Sequence, residues 1–226
     1  MPFHPFKCRR RSFILFSLLL GSSITLARPA IPPADMTGDA DSALLKFSEI
    51  EQDPLRRAAA YAAGEERVLL CGHCHGTDGN ARREGTPNLA QQHPLYLFRQ
   101  FEKFASGERT DYVMSSLAKS LSEEEKVNIA VYYAGQTVKG DDRAAGDTAR
   151  GERLYQATCA ACHGPDAHGQ RDMPRIAGQP ATYLENALKR FRTQDPATAT
   201  SPMVTIASML SAEETDALIR YLASRP

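Results

Sequence analysis

Two stretches of the chain carry the same rhythm of apolar and polar positions. "LYLFRQFEKFAS" (95–106) and "TYLENALKRFRT" (182–193) space Leu, Phe and Tyr three and four residues apart, the period of a helix with one buried face. "GEERVLL" (64–70) and "GERLYQATC" (151–159) are rich in helix-favouring residues. Ser122 with Glu125, and Ser211 with Glu214, precede the last apolar runs. Serine followed three residues later by glutamate is a capping box, in which each side chain satisfies an exposed amide at a helix start. The boxes predict closing helices over 123–135 and 212–224. No stretch alternates with period two, so the pattern predicts an all-α protein.

The rhythm is duplicated in order. "TPNLAQQHPLYL" matches "MPRIAGQPATYL", setting Pro87 against Pro174, Gln92 against Gln179 and Tyr96 against Tyr183. "MSSLAKSLSEEE" matches "MVTIASMLSAEE", setting Met114 against Met203, Leu121 against Leu210 and Ser122 against Ser211. The offset drifts only from 87 to 89 residues along the chain, so the halves are one folding unit used twice. Between them "TVKGDDRAAGDTA" is polar and lacks apolar periodicity, which makes it a linker. The expected division is a signal peptide over 1–27, an extension over 28–60, a first domain over 61–137, a linker over 138–147 and a second domain over 148–226. Within the extension, "RPAIPPADMTGDA" reads as extended chain, and "DSALLKFSEIEQDPLRRAAAYAAG" as helix able to cover one domain.

Charge and composition refine this picture. The 27 basic and 27 acidic side chains balance, which gives no strong field toward nucleic acid. Four of the basic residues, Lys7, Arg9, Arg10 and Arg11, precede the apolar run "SFILFSLLLGSSITLA". That run is shorter than the roughly 20 residues a membrane-spanning helix needs, and a basic flank with a small-residue exit is the form of an export signal. An uncleaved anchor is the alternative. Cleavage after Ala27 would leave 23 basic and 27 acidic residues, a net charge of −4, and would remove Cys8. The expected location is periplasmic, and a peripheral association with the membrane is compatible with it.

The remaining cysteines fall in "CGHCHG" (71–76) and "CAACHG" (159–164). Two disulfides, or one zinc site built from two Cys-x-x-Cys knuckles, are possible uses of four such thiols. Neither explains a histidine after the second cysteine of both pairs. Covalent haem does: Cys71 with Cys74, and Cys159 with Cys162, would form thioethers, while His75 and His163 would ligate iron. Two haem c groups per chain are therefore expected. Each iron needs a sixth ligand, and Met114 and Met203 lie 39 and 40 residues after the respective histidines, at matched positions in the repeat. Met209 aligns with Ser120 and is assigned to packing; Met173 lies close to His163 in sequence. His73, His93 and His168 are read as structural or solvent-facing.

Together these features resemble class I cytochromes c, and their tandem arrangement resembles the dihaem cytochrome c4 family over residues 61–226. The resemblance implies an amino-terminal helix of each domain, carrying Gly64 and Val68 or Gly151 and Tyr155, crossing a carboxy-terminal helix at Tyr132 or Tyr221. Val68 replaces the family's aromatic residue, which implies a looser first crossing. It also implies that the Pro87 and Pro174 carbonyls accept hydrogen bonds from the proximal imidazoles. Tyr96, Arg99, Tyr183 and Arg190 are candidate donors to haem propionates where the domains meet.

Histidine and thioether together fill the iron's positions, so no independent catalytic site is expected and single-electron carriage is the implied activity. The implied partners are periplasmic or membrane-bound redox proteins of a respiratory chain, with a cytochrome bc complex as candidate donor and a terminal oxidase as candidate acceptor, and no nucleic acid. The alternatives are a dihaem subunit of an enzyme complex, such as a flavoprotein sulfide dehydrogenase, and a peroxidase-type enzyme in which one iron loses its methionine. Two porphyrins should stay attached through acid–acetone extraction, read by intact mass. Replacing Cys159 and Cys162 together should leave one, and a mass showing no added porphyrin would overturn the haem reading.

Overall fold

The structure, a computed structural model, describes residues 37–140 and 148–226. The expected signal peptide, Cys8 and most of the expected linker lie outside the described residues. Among the described residues there are eleven α-helices and no strand; the one bridge joins Gln170 and Met173. The all-α expectation holds.

The first half comprises α2 (Pro54–Arg67), α3 (Gly72–His75), α4 (Pro94–Ser106), α5 (Tyr112–Ser120) and α6 (Glu123–Ala134). The second repeats it with α7 (Ala149–Thr158), α8 (Ala160–His163), α9 (Ala181–Arg192), α10 (Met203–Met209) and α11 (Ala212–Ala223). Both capping boxes form: Ser122 and Ser211 accept from the amides of Glu125 and Glu214, whose carboxylates accept in return. The closing helices end one residue short of the expected limits.

The leading helix of the first half starts earlier than expected. Pro54 occupies its first turn, where a missing N–H costs nothing, and Asp53 caps the Leu55 and Arg56 amides. Consequently α2 runs continuously through the expected boundary at residue 61. Ahead of it, α1 (Thr37–Gln52) takes in the end of the stretch read as extended. It buries Ala43 and Phe47 on the first half and sets the Phe47 ring edge-on to Phe98 at 5.9 Å, while Lys46 pairs with Glu123 at 2.6 Å. The extension is thus part of the first half's core.

Each half has its own core. In the first, Phe98, Phe101 and Phe104 of α4 pack with Val68, Ile129 and Tyr133. In the second, Tyr155, Leu184, Leu218, Tyr221 and Leu222 form a smaller cluster. Both are organised by one crossing, of α2 with α6 and of α7 with α11. A Cβ on Gly64 would lie 2.2 Å from the Asn128 carbonyl oxygen and 2.7 Å from the Tyr132 Cβ. One on Gly151 would lie 2.1 Å from the Ala217 oxygen and 2.7 Å from the Tyr221 Cβ. Only a residue without a side chain lets the two backbones meet at this distance.

Gly151→Ala should therefore force α7 off α11 and lower stability by about 1–3 kcal/mol, the usual cost of overpacking. Gly140→Ala, whose added carbon meets nothing closer than 3.6 Å, should be nearly silent. Denaturant titration of the two variants checks the pair, and equal midpoints would contradict the close-crossing account.

Candidate functional site

The two cysteine-histidine motifs form single helical turns, α3 and α8. The amides of His75 and His163 donate to the carbonyls of Cys71 and Cys159 at 2.9 and 3.0 Å, so three-residue spacing brings each pair of thiols to one side of a turn. The chain then leaves through Gly76 and Gly164 at φ +76° and +77°. This left-handed exit explains the glycine after each histidine: a Cβ on Gly76 would also stand 2.1 Å from the Asn80 oxygen.

Both histidines are buried, and each has one ring nitrogen engaged. Nδ1 of His75 lies 2.9 Å from the Pro87 carbonyl oxygen, and Nδ1 of His163 lies 3.0 Å from that of Pro174. A carbonyl can only accept, so Nδ1 carries the proton and Nε2 keeps a free lone pair. Burial depresses both pKa values, outweighing the opposing pull of the proline carbonyls. No disulfide joins any of the four motif cysteines, and without a bound group burial raises the pKa of the Cys71 thiol and pushes that of Cys159 up to about 11.

This donor set fits haem c. Each half offers two thiols on one turn and an adjacent imidazole with its metal-binding nitrogen free. Among the described residues no three His, Cys, Asp or Glu side chains gather as a metal cluster, so the thiols do not converge on a shared zinc site. Arg175 supplies a further sign of fit: its side chain is buried, its Nε has no hydrogen-bond partner among the described residues, and burial lowers its pKa. A haem propionate is the kind of acceptor it lacks.

The expected methionines open matching helices. Met114 lies in the first turn of α5, its amide held by Asp111 at 2.9 Å and its side chain half-buried against the first core. Met203 is the first residue of α10 and is also half-buried. Arg192 ties α10 to α9 by donating to the Ala207 carbonyl at 2.8 Å and the Leu210 carbonyl at 3.0 Å. Met209 is 74% exposed, so its assignment to packing is wrong: Val204 and Ala207 make the buried face of α10. Met173 immediately precedes Pro174, whose carbonyl accepts from His163, and its backbone pairs with Gln170.

The looser first crossing is not found. Val68 is 1% exposed, and Tyr61, one helical turn before Gly64, sets its ring 5.0 Å from that of Tyr132. In the second half Tyr155 of α7 donates its hydroxyl proton to the Gly164 carbonyl. In the first, where Val68 has no hydroxyl, Tyr133 of α6 donates to the equivalent Gly76 carbonyl at 3.3 Å. Leu222 occupies the repeat position of Tyr133, so the aromatic residue has moved to the opposite helix while serving the same carbonyl.

Where the halves meet, the structure redistributes the expected roles. Arg99 is ion-paired with Asp172 of the other half through Nη1. His93, read as structural, has its Nε2 2.8 Å from the carbonyl oxygen of His168 across the interface. His73 and the His168 side chain are exposed. Tyr96, Tyr183 and Arg190 gather as expected, but the arginine that joins them is Arg109, whose Nη2 lies 3.4 Å from the Tyr183 hydroxyl. Burial, followed by the influence of Tyr183, raises the Tyr96 pKa. Burial and the neighbouring Arg109 lower that of Arg190. Nothing in the local sequence around Arg109 or Arg175 marks either as turning inward; only the packing of the two halves does.

The cytochrome c family model matches residues 148–226. Cytochrome c4 of Pseudomonas aeruginosa is 33% identical over 173 residues, covering 71% of this chain and 86% of the relative. A thiosulfate dehydrogenase electron acceptor of Thiomonas intermedia is 32% identical over 185 residues, covering 74% of this chain and 84% of the relative. Among solved structures, reduced recombinant cytochrome c4 from Pseudomonas stutzeri superposes with a TM-score of 0.64 at 28% identity, covering 74% of this chain and 98% of that one.

Proposed function

The chain belongs to the dihaem cytochrome c4 family, and from that premise we propose that it is an exported carrier of single electrons in a respiratory chain. Two covalently bound haem c groups and electron carriage come with the family. The particular ligands, domain limits, location and partners are the proposal.

The observation that carries it is the duplicated pairing of a buried imidazole with a proline carbonyl behind a Cys-x-x-Cys-His turn. Cys71, Cys74 and His75 would hold the first haem, and Cys159, Cys162 and His163 the second. Met114 and Met203 would supply the sixth ligands. When bound, haem c supplies a one-electron iron couple. The proline carbonyls fix the imidazole tautomer and ring orientation, and the thioether favours the reduced state. A histidine and a methionine leave no position open for substrate, which matches a carrier rather than a catalyst. We assign the first domain to 61–137, with α1 and the start of α2 packed onto it, and the second to 148–226, joined by 138–147. The leader over 1–27 is assigned to export, which would leave an acidic protein in the periplasm. No helix among the described residues is long and apolar enough to cross a membrane.

A cytochrome bc complex as donor and a terminal oxidase as acceptor, with peripheral membrane contact, complete this reading. A second reading makes the chain the acceptor of a dehydrogenase of reduced sulfur compounds. Similarity to the thiosulfate dehydrogenase electron acceptor of Thiomonas intermedia favours a thiosulfate dehydrogenase over a flavoprotein sulfide dehydrogenase as that enzyme.

Met203→His should keep a six-coordinate iron but lower the second haem's potential by on the order of 0.1 V, within the roughly 0.8 V that axial ligands span. It should also remove part of the weak sulfur-to-iron absorption at the red end of the visible spectrum. Met209→Leu should change neither; loss of the band in that variant alone would reverse the assignment.

Flash reduction of one haem in the holoprotein tests the carrier reading. Equilibration with the other haem should proceed at a rate independent of protein concentration. Sustained turnover of peroxide would replace the carrier reading with the peroxidase alternative.

A further inference from the structure

Four hydrogen bonds link the halves through two glutamines and the backbone N–H and C=O of two residues. The Asn88 amide donates to Oε1 of Gln179 at 3.0 Å, and Nε2 of Gln179 donates to the Asn88 carbonyl at 2.9 Å. The Arg175 amide donates to Oε1 of Gln92, and Nε2 of Gln92 donates to the Arg175 carbonyl, both at 2.8 Å. Gln92, Gln179, Asn88 and Arg175 are all buried, at 3%, 4%, 6% and 4% exposure. A backbone N–H only donates and a carbonyl only accepts, so these partners fix the orientation of both side-chain amides.

The Asn88 N–H and the Pro87 carbonyl are the two ends of one peptide group. So are the Arg175 N–H and the Pro174 carbonyl. The same peptide that accepts from Nδ1 of His75 at 2.9 Å therefore donates to Gln179 of the other half. The peptide that accepts from His163 at 3.0 Å donates to Gln92. Each continuous chain runs from imidazole through peptide to the glutamine of the opposite half.

We infer that Gln92 and Gln179 are crossed positioning residues, each tuning the potential of the haem held by the other half. The inference rests on His75 and His163 being the proximal ligands, as proposed above. Hydrogen bonds in a chain polarise one another, so a bond at the peptide N–H makes its carbonyl oxygen a stronger acceptor. A stronger acceptor draws on the imidazole proton and makes the ring a more basic ligand, which favours ferric iron. Glutamine suits both tasks: it reaches the N–H and C=O of one residue with a single neutral group, whereas glutamate would bury a charge and offer no donor.

The test uses the holoprotein with Gln179→Met and, separately, Gln92→Met, which keep length but remove donor and acceptor. Both potentials are measured by titration and assigned through haem methyl resonances. Gln179→Met should raise only the first haem's potential, shifting its reduction equilibrium roughly two- to fivefold. Gln92→Met should do the same for the second haem. If the glutamines merely glue the halves, loosening the interface would admit water and lower both potentials; equal or downward shifts overturn the inference. Gln179→Glu retains an oxygen facing the Asn88 amide and should leave the first potential at or below that of the unsubstituted protein. A rise there overturns the inference even if the methionine variants do not fold. Failure of the ligand assignment is distinguishable, because the unsubstituted protein would then lack a low-spin histidine–methionine spectrum.

Discussion

A histidine directly after a Cys-x-x-Cys pair can offer Nε2 to a metal only if the proton on Nδ1 has an acceptor. Here that N–H donates to a proline carbonyl in each half, at 2.9 and 3.0 Å, which keeps the proton on Nδ1. The rest of the architecture follows from delivering that carbonyl. Proline has no N–H to satisfy, and the segment carrying it must pass beneath the motif turn before α4 or α9 begins. The turn itself must end sharply, hence the left-handed glycine after each histidine. The carbonyl of that glycine in turn receives a tyrosine hydroxyl from a crossing helix. Histidine, turn and helix crossing are thus bound into one unit by short-range bonds.

That unit is small, and its own apolar surface is limited. The second core, with Tyr155, Leu184, Leu218, Tyr221 and Leu222 at its centre, is the more modest of the two. The first gains Phe47 and Ala43 from the preceding helix. Polar bonds at the margin of each core differ: Lys126 reaches Glu102 at 2.8 Å in the first half, while Arg192 holds two carbonyls of the α10 region in the second. The glycine crossings are the shared element that neither half has altered.

What the sequence made legible was mainly local. Ser122 and Glu125 meet within one turn, so their capping box could be read from spacing, as could the motif helices and the matched methionines. The proline contacts span eleven or twelve residues and came from family resemblance, not from spacing. The exchange between Val68 with Tyr133 and Tyr155 with Leu222 was hidden because it trades positions between helices distant in sequence. Met209 sat at a plausible helical position, but a seven-residue helix buries only one narrow face, and Met209 is off it. Arg99 and Arg109 were indistinguishable in the sequence; only the location of Asp172 shows which is neutralised.

The interface explains how two copies of one unit can diverge and still dock alike. Gln92 and Gln179 are the same residue in both halves, and each reads a backbone N–H and C=O rather than a side chain. The residue being read is therefore free to change: it is Asn88 in one half and Arg175 in the other. Asn88 uses its side chain to bind the Gly178 carbonyl at 2.7 Å, whereas Arg175 brings a buried cation. Gln91 shows the same freedom from the other direction. It adopts φ +53° where its counterpart is Gly178 at +69°, and its amide still donates to the Tyr133 carbonyl as that of Gly178 does to Leu222. Symmetry is kept where backbone meets backbone or a fixed amide, and side chains elsewhere are left to make the two centres different.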